Sequence, residues 1–171
     1  MSEVGSSRIN GIDIGELREY IESCRLDPAR ADRNPVVVAR WVGGGRAEVT
    51  SSLGGPPVYM GGDDDPSAMG MLLRTLAACD VEVVANRAAL LGIVIDDLAV
   101  EARGYFNVQR YLGLDANHGP GYQRVSYTVR LKARNATPEQ LAQLRDACVR
   151  GSPVGDTLER SVPVMFEFEA G

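Results

Sequence analysis

The chain has 171 residues, 44% hydrophobic and 24% charged, with 18 basic against 23 acidic residues and a formal net charge of -5. This suits one soluble globular domain with a sizeable core, and an acidic chain is a poor partner for nucleic acid or an anionic membrane surface. No apolar run reaches the length of a membrane span, and the polar start Met1-Ser-Glu-Val-Gly-Ser-Ser-Arg8 is unlike a signal peptide, so the expected location is cytoplasmic.

Asp13 and Glu16 have capping-box spacing, and Leu17, Tyr20, Ile21 and Cys24 then share one face. This predicts a short N-terminal helix with Cys24 as a packing residue. Pro28 and Pro35 punctuate the extension, taken as residues 1–35, and the core of the single domain follows over 36–171. Val36 to Val42 and Ala47 to Ser52 read as strands joined by a turn at Gly43-Gly44-Gly45. A glycine run cradles phosphate where it leads into a helix N-terminus. Here it leads into a strand.

Asp63-Asp64-Asp65 precedes a long apolar segment, with Asp65 expected as N-cap and Pro66 at the first helical position. The helix is predicted to run to about Leu91 and stop at Gly92. Its first half is apolar nearly all round, with Arg74 as the only charge. Such a helix needs cover on most sides. One sheet and two short helices cannot supply it, which predicts a homodimer.

Ile93 to about Val108 is extended in pattern, and Asp115 to Gly121 is rich in turn residues. From Tyr122 to Ala133, Val125, Tyr127, Val129 and Leu131 alternate with Arg124, Ser126, Thr128 and Arg130, the mark of a half-buried antiparallel strand. Thr137 and Gln140 form a capping box, and Leu141, Leu144 and Cys148 are the inner stripe of the helix behind it. Val162, Val164, Phe166 and Phe168 alternate with Met165, Glu167 and Glu169, predicting a last strand. Hairpin strands with two substantial helices make an α+β domain, helices on one face of an antiparallel sheet.

The three cysteines, Cys24, Cys79 and Cys148, are widely spaced, and His118 is the only histidine. A structural zinc site needs four such ligands together, so neither metal nor cofactor is expected. A Ser-His-Asp triad would depend on His118, which reads as an exposed loop residue. Cys79 is either a small hydrophobe in the core or a thiolate held by a cation. It lies about three and a half turns into its helix, too far for the dipole to act strongly. Activation would need a cation brought by the fold.

The segment Pro66-Ser-Ala-Met-Gly-Met-Leu-Leu-Arg-Thr-Leu-Ala-Ala-Cys79 resembles the proline-led helix before the reactive cysteine of the OsmC/Ohr family of thiol-dependent hydroperoxide reductases. Cys148-Val-Arg-Gly-Ser-Pro-Val-Gly-Asp-Thr-Leu158 resembles its Cys-Pro-Val-x-x-Thr-Leu motif, and Gly44-Gly45-Arg46 its hairpin arginine. Leu17 to Pro28, Arg40 to Gly44 and Gly104 to Gln123 are similar to a longer branch of the family with an N-terminal helix. The resemblance implies an OsmC-like fold: a long buried central helix and a second helix on one face of the sheet. It also implies an intertwined homodimer with its site at the subunit interface.

By position, Cys79 would be the peroxidatic thiol and Arg46 its cation. Ser152 stands where the family has its resolving cysteine, and Met69 and Gly70 occupy the region of an expected glutamate. A hydroxyl cannot form a disulfide, so the implied activity is at most a single-cysteine reduction of an organic hydroperoxide, completed by an external dithiol. Cys148, one turn before Ser152, is a candidate substitute resolver. The alternative is a non-catalytic dimer binding a small apolar ligand at the interface.

Overall fold

The computed structural model describes residues 8–170. The elements are β1 (Arg8–Ile9), β2 (Ile12–Asp13), α1 (Ile14–Leu26), β3 (Val37–Gly43), β4 (Arg46–Ser51) and β5 (Val58–Met60). They continue with α2 (Ala68–Leu90), β6 (Asp97–Phe106), β7 (Tyr122–Lys132), α3 (Pro138–Gly151) and α4 (Pro153–Glu159). The strands form three antiparallel sheets: β1-β2, β3-β4-β5 and β6-β7. The expected α+β class holds.

Local chemistry sets the boundaries. Asn10-Gly11, both with positive φ, makes the two-residue turn between β1 and β2. The Asn10 amide then donates to the Ile93 carbonyl and accepts from the Ile95 N–H. Asn135 grips the same stretch from the other side through Gly92 and Val94. Asp13 caps α1 by accepting from the Glu16 N–H, as its spacing predicts.

The helix α2 departs from expectation at its start. Its N-cap is Ser67, whose hydroxyl accepts from the Gly70 N–H at 3.0 Å, not Asp65. Asp65 is engaged by Arg46, 2.5 Å away. At the other end Gly92 takes φ +73°, and the Gly92 and Ile93 N–H groups bond to Ala89 and Ala88. That Schellman arrangement brings Ile93 back onto Ala88, both fully buried, and Leu144 of α3 completes the small core.

Within the chain α2 buries one stripe, Leu76, Asp80, Val84 and Ala88, spaced by four residues, together with Ala89. It packs against β6, α3 and α4. The sheet beneath it alternates as predicted: Val125, Tyr127, Val129 and Leu131 are half-buried and their neighbours exposed. Gly104 lets the Tyr122 ring lie against β6, where a Cβ would meet the ring at 2.3 Å.

The predicted strand at the C-terminus is absent. Residues 161–170 take no regular structure, and Val164, Met165, Phe166 and Phe168 are more than 80% exposed. A strand needs a neighbouring edge to pair with, and among the described residues that segment pairs with none. Val37, Val38, Trp41 and Val42 of β3 are also exposed.

Candidate functional site

Cys79 sits on α2 at the margin of the buried stripe and is half-buried, neither sealed in the core nor free in solvent. Ser152 approaches it from the junction of α3 and α4. That residue ends α3 and caps α4, its hydroxyl accepting from the Gly155 N–H at 3.1 Å. The cap fixes the Oγ, which donates toward the Cys79 Sγ at 3.6 Å. Ser152 is 3% exposed. The two residues lie 73 positions apart in the chain, and Pro153 opens α4 directly after Ser152.

Cys148 lies one turn before Ser152 and is buried. Burial pushes its thiol pKa up, and the Asp80 charge pushes the same way. The thiolate needed to attack a sulfenic acid is therefore disfavoured there. All three cysteines are free, and Cys24 is half-buried on α1.

Two further residues complete the cluster. Asp80, next to Cys79, has no exposed surface and stands in the middle of an otherwise apolar stripe. Burial raises its pKa, with the Ser152 hydroxyl pulling the other way, and neither carboxyl oxygen has a hydrogen-bond partner. Tyr127 reaches in from β7, and its phenol pKa is raised by burial, then by Asp80, Cys148, Glu159 and Cys79. The sequence reading placed Tyr127 on the inward face without a role and passed over Asp80. The available signal was its spacing: a carboxylate four residues from both Leu76 and Val84, within a core stripe.

Arg46 is elsewhere within a single chain. It bonds to Asp65 on the β3-β4-β5 sheet, and its guanidinium lies 4.2 Å from the Tyr59 ring centroid. The Asp65 hydrogen bond holds its pKa up. Tyr59 donates to Glu48 at 2.6 Å, which in turn raises the phenol pKa. No hydrogen bond or ion pair joins Arg46 to Cys79 among the described residues. His118 Nδ1 lies 3.4 Å from the Gly119 carbonyl of its own loop.

Two cavities flank Tyr127. One of about 480 Å³ is walled by Val84, Val129, Leu131, Leu141, Leu144 and Cys148. The other, about 420 Å³, runs past Met69, Leu72, Leu76 and Leu158 to Glu159. Among the described residues no group of histidine, cysteine and carboxylate side chains is arranged to hold a metal ion. No helix among them is long and apolar enough to cross a membrane.

The family profile described as OsmC-like protein matches residues 61–167. No curated protein matches the sequence. Among solved structures, an OsmC-like protein from Mycoplasma pneumoniae superposes with a TM-score of 0.62 at 15% identity, covering 75% of this chain and 89% of that one. An organic hydroperoxide resistance protein OsmC from Legionella pneumophila gives 0.52 at 12% identity, covering 75% and 90%. An OsmC-like hydroperoxide resistance protein from Jannaschia sp. gives 0.51 at 20% identity, covering 81% and 96%. At these identities the likeness is one of fold.

Proposed function

The chain belongs to the OsmC-like protein family, and from that premise we propose that it is a single-cysteine, thiol-dependent hydroperoxide reductase acting through Cys79. The observation that carries this reading is the Ser152 hydroxyl, held by the Gly155 N–H and directed at the Cys79 sulfur across 3.6 Å. A hydroxyl there stabilises a thiolate by about 1 kcal/mol, the net value of an ordinary hydrogen bond. The thiolate attacks the distal oxygen of an organic hydroperoxide, giving a sulfenic acid and an alkoxide that takes a proton. An external dithiol then reduces the sulfenic acid, releasing water and its own disulfide.

The working form is a homodimer, acting in the cytoplasm. The open faces of β3 and the apolar C-terminal segment supply the contact area, and assembly is the route by which Arg46 reaches Cys79. A second reading, a non-catalytic carrier of a small apolar ligand, is favoured by the cavity lined by Leu141, Leu144 and Cys148.

Treatment with cumene hydroperoxide followed by a sulfenic-acid trap separates the two. The reductase carries the adduct on Cys79 and consumes peroxide with dithiothreitol, and Cys79→Ser loses both. A Cys79 that stays unmodified under excess peroxide leaves the carrier. In addition, Ser152→Cys is expected to form a disulfide with Cys79 on oxidation, read as a loss of two hydrogens in the intact mass.

A further inference from the structure

A half-buried phenol ordinarily directs its hydroxyl to an acceptor. Tyr127 of β7 does not. Its ring walls both cavities, and among the described residues its hydroxyl has no hydrogen-bond partner. Burial, then Asp80, Cys148, Glu159 and Cys79, keep that phenol protonated and therefore a donor.

The hydroxyl borders a space left by a missing side chain. Gly155 of α4 is buried, and a Cβ there would lie 3.0 Å from the Ser152 Oγ and 3.9 Å from the Tyr127 hydroxyl oxygen. Ser152 is already committed: it donates toward Cys79 and accepts from the Gly155 N–H. The open donor at this space is Tyr127. The space closes the cavity of about 420 Å³, whose walls pass from exposed Gln123 and Glu159 inward to buried Leu76 and Gly155. That volume is enough for a small organic molecule.

We propose that this cavity binds a neutral small molecule with an apolar body and one acceptor oxygen, and that Tyr127 donates the hydrogen bond that fixes the oxygen beside Gly155. The walls Met69, Leu72, Leu76 and Leu158 take the apolar body, whose removal from water favours binding. The hydrogen bond sets the orientation. An oxygen turned toward those apolar walls would lose its water partner without a replacement.

Charge selects against an anion. Glu159 stands at the mouth, and the guanidinium of Arg124 lies over the Tyr105 ring, 5.5 Å from its centroid. None of the ionisable groups acting on Tyr127 is a cation. A carboxylate entering here would shed its water, pass Glu159 and meet no opposite charge at the closed end. The oxygen end lies one hydrogen bond from the contact of Ser152 with Cys79, but the site needs no chemistry at the thiol. It therefore holds under either reading of the function.

The test uses probes of similar bulk in ligand-observed NMR titrations of the full chain. Cumyl alcohol carries the acceptor oxygen, tert-butylbenzene replaces its hydroxyl by a methyl, and para-isopropylbenzoate carries a carboxylate. Cumyl alcohol is expected to bind saturably, and para-isopropylbenzoate more weakly. Tyr127→Phe keeps the ring and removes the donor. It should weaken cumyl alcohol about fivefold, the worth of one ordinary hydrogen bond, and leave tert-butylbenzene unchanged.

No saturable binding of cumyl alcohol overturns the proposal. So does Tyr127→Phe binding the alcohol as wild type does, or weakening both neutral probes alike, since the second result is that of a merely structural ring. Carboxylate binding as tight as the alcohol overturns the neutral class. Gly155→Ala fills the space and should abolish the preference for the alcohol over tert-butylbenzene. Should that variant fail to fold, Leu72→Trp obstructs the cavity farther out, and cumyl alcohol binding that survives it puts the ligand elsewhere and is equally fatal. The probes contain no peroxide bond. A chain that binds them as expected and leaves cumene hydroperoxide untouched loses the reductase reading alone.

Discussion

The β6-β7 sheet and the β3-β5 sheet lie in one chain and meet opposite fates. Beneath α2, β7 alternates between exposed and half-buried residues from Arg124 to Lys132, and the core of Ala88, Ile93 and Leu144 closes beside it. Six of the seven residues of β3 are exposed, including Val37, Val38, Trp41 and Val42, and the apolar C-terminal segment stands equally bare. The first half of the molecule satisfies itself, and the second leaves these apolar side chains uncovered within the chain. Cys79 and Ser152 belong to the first half and Arg46 to the second, so the site implied by the family spans this divide.

The comparison breaks most directly through the bare half. Phe166→Asp with Phe168→Asp is expected to turn a dimer into a monomer at micromolar concentration, because two buried charges without partners oppose association. Sedimentation equilibrium reads this out. A wild-type chain that sediments as a well-folded monomer would show instead that the exposed faces need no cover.

The self-satisfied half should answer in stability. Leu144 is 2% exposed and packs on Ala88 and Ile93, so Leu144→Ala is expected to lose about 2–5 kcal/mol of unfolding free energy, the usual range for a core leucine. Urea titration measures it. Below 1 kcal/mol, that cluster would not be the core of this half.

Asp80 sharpens the contrast through pH. Burial raises its pKa above the unfolded value of about 3.9, so the folded chain binds that proton more tightly. Its contribution to stability is present in full below about pH 4 and is lost as pH rises through the folded value. Asp80→Asn should therefore melt progressively higher than wild type between pH 4 and pH 8. A constant difference in melting temperature across that range would mean that Asp80 does not titrate. The smallest effect is at the start of α2, where Ser67→Ala removes the cap to Gly70 and should destabilise by about 1 kcal/mol. No change in thermal unfolding would return the capping role to Asp65.

Much of this was legible in the sequence because it depends on neighbours along the chain. The cap at Asp13, the capping box at Thr137, the stop at Gly92 and the alternation of β7 are satisfied within a few residues or by period alone. Asp65 was the expected cap of α2, and Ser67 takes the role because a residue 19 positions from Asp65, Arg46, claims the Asp65 carboxylate. Cys79 and Ser152 were legible as candidates through a family resemblance.

Only the tertiary structure decided that their side chains meet, that Cys148 is buried with its thiol held protonated, and that Asp80 stands inside the core beside them. Local sequence fixes hydrogen bonds that close over three or four residues. Burial and desolvation, which set the charge of Asp80 and of Cys148, arise only when β7, α3 and α4 close over α2. The C-terminal segment shows the same rule in reverse: Val162 to Glu169 alternates like a strand, yet the pattern specifies a face and not the edge that would pair with it.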